Sequence, residues 1–232
     1  MHDHKTDATI TVSKNGPYLV NGDLPVTLQT ITPNAEGAST EWTEGRSFET
    51  KAQYALCRCG GSANKPFCDG THAKIHFDGT ETADRGGYEE RAKVMEGETL
   101  MLLDDESLCA FARFCDSHGS VWGQIEQKDS QAQHKLLTRE VAHCPSGRLV
   151  LLEKESGKAI EPKLPESIGL VEDPEQKCSG PLWVRGGVPV VAADGEQYEV
   201  RNRVTLCRCG ASQNKPFCDG SHASIKFHDG LA

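Results

Sequence analysis

The sequence lacks long hydrophobic segments. Its longest aliphatic run, at residues 100–103, has about four residues, whereas a membrane-spanning helix needs roughly 20. The first residues, MHDHKTDATI, also lack the apolar core of a secretory signal peptide. We therefore expect a cytoplasmic protein with no membrane partner.

The sequence also lacks an excess of basic residues. It contains 25 Lys and Arg against 34 Asp and Glu, and residues 80–176 alone carry 20 acidic and 11 basic side chains. Proteins that bind duplex nucleic acid usually present a basic patch, so we expect no nucleic-acid partner. Charge steering by the acidic middle segment favours a basic partner instead.

No catalytic signature and no dense disulfide framework is visible. The sequence shows no nucleophile–base constellation and no phosphate-binding loop, so we do not expect an enzyme. Its ten cysteines are too sparse for a small disulfide scaffold. In a cytoplasmic protein, cysteines are usually thiols or metal ligands.

The chain contains an internal repeat. Residues 56–77 read LCRCGGSANKPFCDGTHAKIHF, residues 206–227 read LCRCGASQNKPFCDGSHASIKF, and they agree at 17 of 22 positions. The similarity extends upstream, where the first copy has 14 extra residues that include a predicted surface loop at residues 32–37. We predict three units: residues 1–79, an insert at 80–176, and residues 177–232.

The sequence of the insert indicates a mixture of strands and helices. Its hydrophobic pattern indicates strands at residues 99–103, 121–125 and 148–153, and helices at residues 107–115 and 132–143. Three prolines make residues 161–175 a predicted linker. The whole chain is therefore expected to be α+β.

Each repeat contains the spacing C-x-C-x8-C-x3-H. The predicted metal ligands are Cys57, Cys59, Cys68 and His72 in the first copy, and Cys207, Cys209, Cys218 and His222 in the second. Four such ligands can complete a tetrahedral zinc site or a 2Fe-2S cluster. The C-x-C spacing places two sulfurs on an extended segment, where both can bind one iron and leave the remaining Cys and His for another.

The repeats resemble the CDGSH iron-sulfur (NEET, mitoNEET-like) family. The family pattern C-x-C-x2-(S/T)-x3-P-x-C-D-G-(S/A/T)-H is met twice. The matching residues are Cys57, Cys59, Ser62, Pro66, Cys68, Asp69, Gly70, Thr71 and His72, and again Cys207, Cys209, Ser212, Pro216, Cys218, Asp219, Gly220, Ser221 and His222.

The resemblance implies two redox-active 2Fe-2S clusters, each held by three cysteines and one histidine. It implies electron transfer, iron-sulfur cluster transfer or redox sensing, with a redox partner or an apo iron-sulfur acceptor protein. Family members with one motif form strand-exchanged homodimers, so we expect a monomer whose two repeats pair as an intramolecular pseudo-dimer. A zinc-binding or cluster-stapled structural interaction module is the alternative.

The insert has a weaker cysteine pattern. Cys109, Cys115 and Cys144, the last followed by Pro145, have the spacing of a ferredoxin run in which Ala112 replaces the second cysteine. The insert is similar to divergent mono-cluster ferredoxin domains that accompany CDGSH motifs. This similarity implies a ferredoxin-like α+β fold that either binds a 3Fe-4S cluster or is a relic without one.

Some residues beside the ligands also carry expectations. Arg58 and Arg208, each between two ligands, are expected to offset the negative charge of a cluster. Asp69 and Asp219 are predicted to be helix N-caps. Cys178 has no partner at motif spacing and is expected to be an ordinary thiol.

Overall fold

The fold is α+β, as the sequence predicts. A computed structural model describes residues 8–128 and 130–231. The outer ends of the predicted first and last units, residues 1–7 and residue 232, lie outside the described residues. Within the described part, no helix has both the length and the apolar character needed to cross a membrane.

Strands dominate the described chain. The strands are β1 Thr9–Val12, β2 Tyr18–Asn21, β3 Val26–Pro33, β4 Ser39–Phe48, β5 Gln53–Leu56, β6 Lys93–Glu96, β7 Leu100–Asp104, β8 Leu149–Glu153, β9 Ala159–Ile160, β10 Ser167–Asp173, β11 Cys178–Arg185, β12 Val190–Val191 and β13 Arg203–Leu206. The helices are α1 Thr71–Lys74, α2 Tyr88–Arg91, α3 Val121–Ile125, α4 Gln131–His143 and α5 Ser221–Ser224.

The two repeats each contribute a strand to the other's sheet. One sheet has the order β12-β1-β2-β5, and a second has the order β13-β11-β10-β3-β4. In the first sheet, β12 of the second repeat runs parallel to β1, with Val190 opposite Ile10. In the second, β3 of the first repeat runs parallel to β10, with Val26 opposite Ile168. Val26 and Val190 occupy equivalent positions in the repeat, so the exchange is reciprocal.

One hydrophobic core joins the two sheets. Ile10, Val26, Ile168 and Leu206 are all fully buried in it. Full burial of a side chain of this size stabilises a fold by about 1.5–3 kcal/mol. The core therefore binds the two repeats to each other, although about 90 residues of insert separate them along the chain.

The insert forms its own antiparallel sheet, in the order β6-β7-β8-β9. Helices α3 and α4 pack on this sheet around Leu102, Val121, Leu137 and Leu151. The predicted strands at 99–103 and 148–153 and the predicted helix at 132–143 are confirmed as β7, β8 and α4.

Two predictions in the insert were wrong. Residues 107–115 do not form a helix, because short 3-10 turns at Glu106–Leu108 and Phe114–Asp116 flank a segment in which Phe111 and Arg113 have positive φ. Residues 121–125 form helix α3 rather than a strand. The side chain of Ser120 accepts a hydrogen bond from the Gly123 amide and caps this helix.

The predicted linker at 161–175 was also wrong. It contains β10, whose seven residues are all buried between β11 and β3. The apolar run within β10 explains its central position, since a strand covered on both faces need not alternate with polar residues. The predicted surface loop at 32–37 is confirmed from Asn34 onward, whereas Thr32 and Pro33 belong to β3. It closes the β3–β4 hairpin, where Asn34 Oδ1 accepts from the amides of Glu36 and Ala38.

The repeats approach each other most closely at their C-x-C segments. Cys59 and Cys209 form an antiparallel bridge. The next residues, Gly60 and Gly210, have φ values of 75° and 83°. A Cβ atom on Gly60 would lie 2.7 Å from the carbonyl oxygen of Cys209, and one on Gly210 would lie 2.8 Å from that of Cys59. Both positions therefore require glycine for conformation and for space.

We expect Gly60→Ala to lower the free energy of unfolding by more than Gly157→Ala. Both glycines have positive φ, which costs an alanine about 1–2 kcal/mol. Gly157 has open space around its Cβ position, whereas at Gly60 the new Cβ also overlaps the carbonyl group of Cys209. Urea unfolding of the full chain measures the difference. Equal losses of unfolding free energy in the two variants would contradict the close approach of Gly60 to the carbonyl group of Cys209.

Candidate metal centres

The first repeat brings its four predicted ligands together as two pairs. Cys57 Sγ lies 3.9 Å from Cys59 Sγ, and Cys68 Sγ lies 3.4 Å from His72 Nδ1. The loop is closed by a main-chain hydrogen bond from Cys57 to the carbonyl oxygen of Pro66. Strand β5 therefore delivers the C-x-C segment, and helix α1 carries the histidine.

The second repeat has nearly the same geometry. Cys207 Sγ lies 3.7 Å from Cys209 Sγ, and Cys218 Sγ lies 3.3 Å from His222 Nδ1. The Cys207 amide donates to the carbonyl oxygen of Pro216 at 2.8 Å. Two copies of one sequence pattern therefore build one kind of site.

The donor set fits an iron-sulfur cluster. Backbone amides of Gly61 and Gly70 point at the sulfurs of Cys59 and Cys68, at 3.4 and 3.5 Å, and such contacts favour the thiolate that binds iron. Across residues 8–128 and 130–231, no three His, Cys, Asp or Glu side chains are grouped to hold a single metal ion. The observed grouping of two donors and two donors suits a centre with more than one iron.

The ligand loops are held by their own polar side chains. Ser62 Oγ donates to the carbonyl oxygen of Phe67, and Lys65 Nζ donates to that of Ser62, both at 2.6 Å. Ser212 and Lys215 make the same two contacts in the second repeat. These bonds hold the ligand loops of both repeats in the same shape.

The N-cap prediction for Asp69 and Asp219 was wrong by one residue. Gly70 and Gly220 precede the two short helices in a left-handed conformation that favours glycine. Asp69 still accepts from the Thr71 and Ala63 amides, at 3.0 and 2.8 Å. Hydrogen bonds from Thr71 and Ala63 hold the pKa of Asp69 well below its usual value.

The two sites differ in exposure. His222 is only 4% exposed and Cys218 only 2%, whereas His72 and Cys68 are partly exposed. The insert provides the cover, because a Cβ atom on Gly220 would lie 3.3 Å from the carbonyl oxygen of Cys109. Burial lowers the pKa of His222 to about 4. Its imidazole is therefore neutral at pH 7, the form that binds metal.

The arginines between the ligands also have different surroundings. Arg208 is paired with Glu172, at 2.8 Å, and with Asp229. Arg58 instead donates to the carbonyl oxygens of Gly79, at 2.6 Å, and Ser13, at 3.4 Å. Both guanidinium groups are buried. Solvent therefore screens neither charge strongly, and the two arginines differ in their electrostatic effect.

One arginine cannot fully neutralise two buried carboxylates. Burial raises the pKa of Glu172 to about 7, even though Arg208 acts to lower it. Burial also acts to raise the pKa of Asp229, but Arg208 and two hydrogen bonds leave it below its usual value. Asp229 is therefore the carboxylate that stays ionised below pH 7.

The three cysteines of the insert line one cavity. Cys109, Cys115 and Cys144 all line this small cavity, together with Ala112 at the position of the missing second cysteine of the ferredoxin run. Burial raises the pKa of the Cys115 thiol, and the charges of Asp116 and Cys144 add to this effect. Cys178 lies outside all three sites, and all ten cysteines are free.

Sequence reasoning missed three residues near the sites. Tyr18 donates through its hydroxyl to the carbonyl oxygens of Cys207 and Pro216, at 2.7 and 3.0 Å, so it connects the first repeat to the second ligand loop. Glu172 and Asp229 neutralise Arg208. The only signal available was a difference between the repeats, because Asp229 occupies the position of Gly79.

The donor sets and the fold define an iron-sulfur protein. The family model described as "Iron-binding zinc finger CDGSH type" matches residues 15–73 and 179–223. The model described as "Divergent 4Fe-4S mono-cluster" matches residues 95–154 between them. The chain therefore carries two CDGSH-type segments with a divergent mono-cluster segment between them. No curated protein and no solved structure matches it.

We expect Glu172→Gln to remove a pH-dependent loss of stability. The folded-state pKa of Glu172 is raised from 4.5 to about 7, so the folded protein binds more protons than the unfolded chain between these values. Its stability therefore falls as the pH rises through this window, by an amount on the order of 3 kcal/mol.

Urea unfolding of wild type and variant at pH 5 and pH 8 tests this expectation. The exposed Glu155→Gln variant is the control and should keep the wild-type pH dependence. A Glu172→Gln protein with that same pH dependence would show that Glu172 is not the group responsible.

Proposed function

We propose that this protein transfers electrons through three adjoining iron-sulfur centres and is not an enzyme. The observation that carries this proposal is the contiguity of the sites. Cys59 of the first site forms a main-chain β-bridge with Cys209 of the second. Gly220 of the second ligand loop packs against Cys109 of the insert cavity. Electron transfer needs such proximity, whereas a purely structural role does not.

Two of the centres are proposed to be 2Fe-2S clusters. Each would be held by the three cysteines and the histidine of one repeat, with one iron on the C-x-C pair and the other on the Cys and His pair. When bound, such a cluster supplies one-electron redox chemistry, and a histidine ligand raises its potential above that of an all-cysteine ferredoxin. The chain contributes the amide contacts to sulfur and, at the second site, the neutral imidazole of His222.

We propose that the repeats form an intramolecular pseudo-dimer, so that the protein acts as a monomer. The reciprocal exchange of β3 and β12 supports this arrangement. The contact between Gly60 and Cys209, with its counterpart at Gly210, supports it as well. A second chain is not needed to complete either sheet.

The insert is proposed to hold a third cluster through Cys109, Cys115 and Cys144. Three thiolates around one cavity suit a 3Fe-4S cluster, because Ala112 stands where the fourth cysteine of a 4Fe-4S site would be. The family model of this segment is described as a 4Fe-4S mono-cluster, so the number of irons is the property to measure.

Cluster transfer is the second candidate function. The partial exposure of Cys68 and His72 favours it, since ligands near solvent can exchange with an apo iron-sulfur acceptor protein. A zinc-binding or cluster-stapled structural module is a weaker alternative, because the donors are grouped two and two rather than around one ion.

Iron and sulfide analysis with visible spectroscopy tests the cluster content. Two 2Fe-2S clusters supply four irons, and a 3Fe-4S cluster brings the total to seven. We expect Cys144→Ser to lower the iron content from seven to four and to leave the 2Fe-2S absorption unchanged. The matched Cys178→Ser variant removes a buried thiol outside the sites and should keep all seven.

A colourless zinc protein would refute the proposed function. An iron content that does not respond to Cys144→Ser would refute the third centre alone. Mixing the loaded protein with an apo-ferredoxin separates the two candidate functions, because electron transfer leaves the iron where it is and cluster donation moves it to the acceptor.

A further inference from the structure

The two CDGSH sites have matching ligand geometry but different buried charge. Corresponding donor distances agree within about 0.2 Å, at 3.9 and 3.7 Å for the sulfur pairs and 3.4 and 3.3 Å for the Cys–His pairs. The difference lies at Arg58 and Arg208, the residues between the first two cysteines of each site.

The positive charge at the second site is neutralised. Arg208 is 4% exposed, and its partners Glu172 and Asp229 have side-chain exposures of 5% and 0%. Arg208 lies between the ligands Cys207 and Cys209, so its charge acts on the second site. An arginine with its carboxylate adds little net charge there.

The positive charge at the first site is not neutralised. Arg58 is 1% exposed, its Nη atoms donate to the carbonyl oxygens of Ser13 and Gly79, and its Nε has no hydrogen-bond partner. Within residues 8–128 and 130–231, Arg58 takes part in no ion pair. Gly79 stands where the second repeat has Asp229, and the neighbouring Asp78 is exposed, so water screens its charge.

The guanidinium group of Arg58 lies close to the first site. It donates to the carbonyl oxygen of Ser13, in the same tight turn as Gly16. A Cβ atom on Gly16 would lie 3.6 Å from His72 Nε2. Arg58 and the ligand His72 thus contact the same turn. An unscreened unit charge so near a site shifts the equilibrium between its oxidised and reduced forms at least tenfold.

We propose that Arg58 makes the first CDGSH site the more readily reduced of the two. The proposal rests on the proposed function, since it requires a 2Fe-2S cluster at each site. Reduction adds one negative charge, which the uncompensated Arg58 stabilises, whereas the neutralised and buried second site opposes it. One electron from a one-electron donor therefore resides at the first site. When the electron moves there from the second site, no bond forms or breaks and no proton is transferred.

This order gives electron flow a direction. The second site is covered by the insert, and the first is partly exposed at Cys68 and His72. The electron would collect at the site that a redox partner can approach. The first site is thus assigned as the exit and the second as the relay from the insert.

A redox titration of the loaded protein, followed by absorption and paramagnetic resonance, tests the proposal. We expect two one-electron waves separated by at least a tenfold difference in equilibrium constant, about 59 mV. His72→Cys should alter only the wave of higher potential, and His222→Cys only the lower one. Iron and sulfide analysis comes first, because a protein without two 2Fe-2S clusters would refute the proposed function instead.

Arg58→Gln should lower the midpoint potential of the first wave by at least about 59 mV, a tenfold change in the equilibrium constant, and leave the second unchanged. Arg58→Lys keeps the charge and should leave both midpoint potentials unchanged. Arg58→Met is a second variant that removes the charge, and it should also lower the first wave. If neither variant loads, the order of the two wild-type waves decides, through their assignment by His72→Cys and His222→Cys. Coincident waves, a higher wave that responds to His222→Cys, or a first wave unmoved when the charge of Arg58 is removed would overturn the proposal.

Discussion

Reciprocal strand exchange is the constraint on which the rest of the structure depends. Because β12 extends the sheet of the first repeat and β3 extends that of the second, each sheet contains a strand from the other repeat. The exchange buries one shared core and brings the two C-x-C segments into main-chain contact. The positions of both metal centres follow from this pairing of strands.

Within that frame, the two centres are alike where the repeat is strict and different where it is not. The ligand loops use the same serine, lysine and amide contacts, so their geometry hardly varies. Outside the loops, the insert contacts the second ligand loop at Gly220. Of the two arginines between ligands, only Arg208 has carboxylate partners among the described residues. A duplicated site has thus acquired two electrostatic environments with its ligands unchanged.

Sequence patterns predicted the local features well and the distant ones poorly. The α4 helix and the β7 and β8 strands follow from periodicity within a few residues of chain, and the structure confirms them. The predictions for the segment around Cys109 and for the linker were wrong, because the structure of both segments depends on partners far along the chain. Residues 167–173 form a strand since β3 and β11 lie on both sides of them, which no local signal encodes.

The sequence by itself determined the donor chemistry, the repeat and the two CDGSH-type segments, because ligand types and spacing are local properties of the chain. Only the tertiary structure decided which sites adjoin, which one is covered by the insert, and which arginine keeps an unpaired charge. Those properties arise from contacts between residues up to 198 positions apart, such as Tyr18 and Pro216. Burial and neutralisation depend on everything that packs around a group, so they exist only once the whole chain has folded.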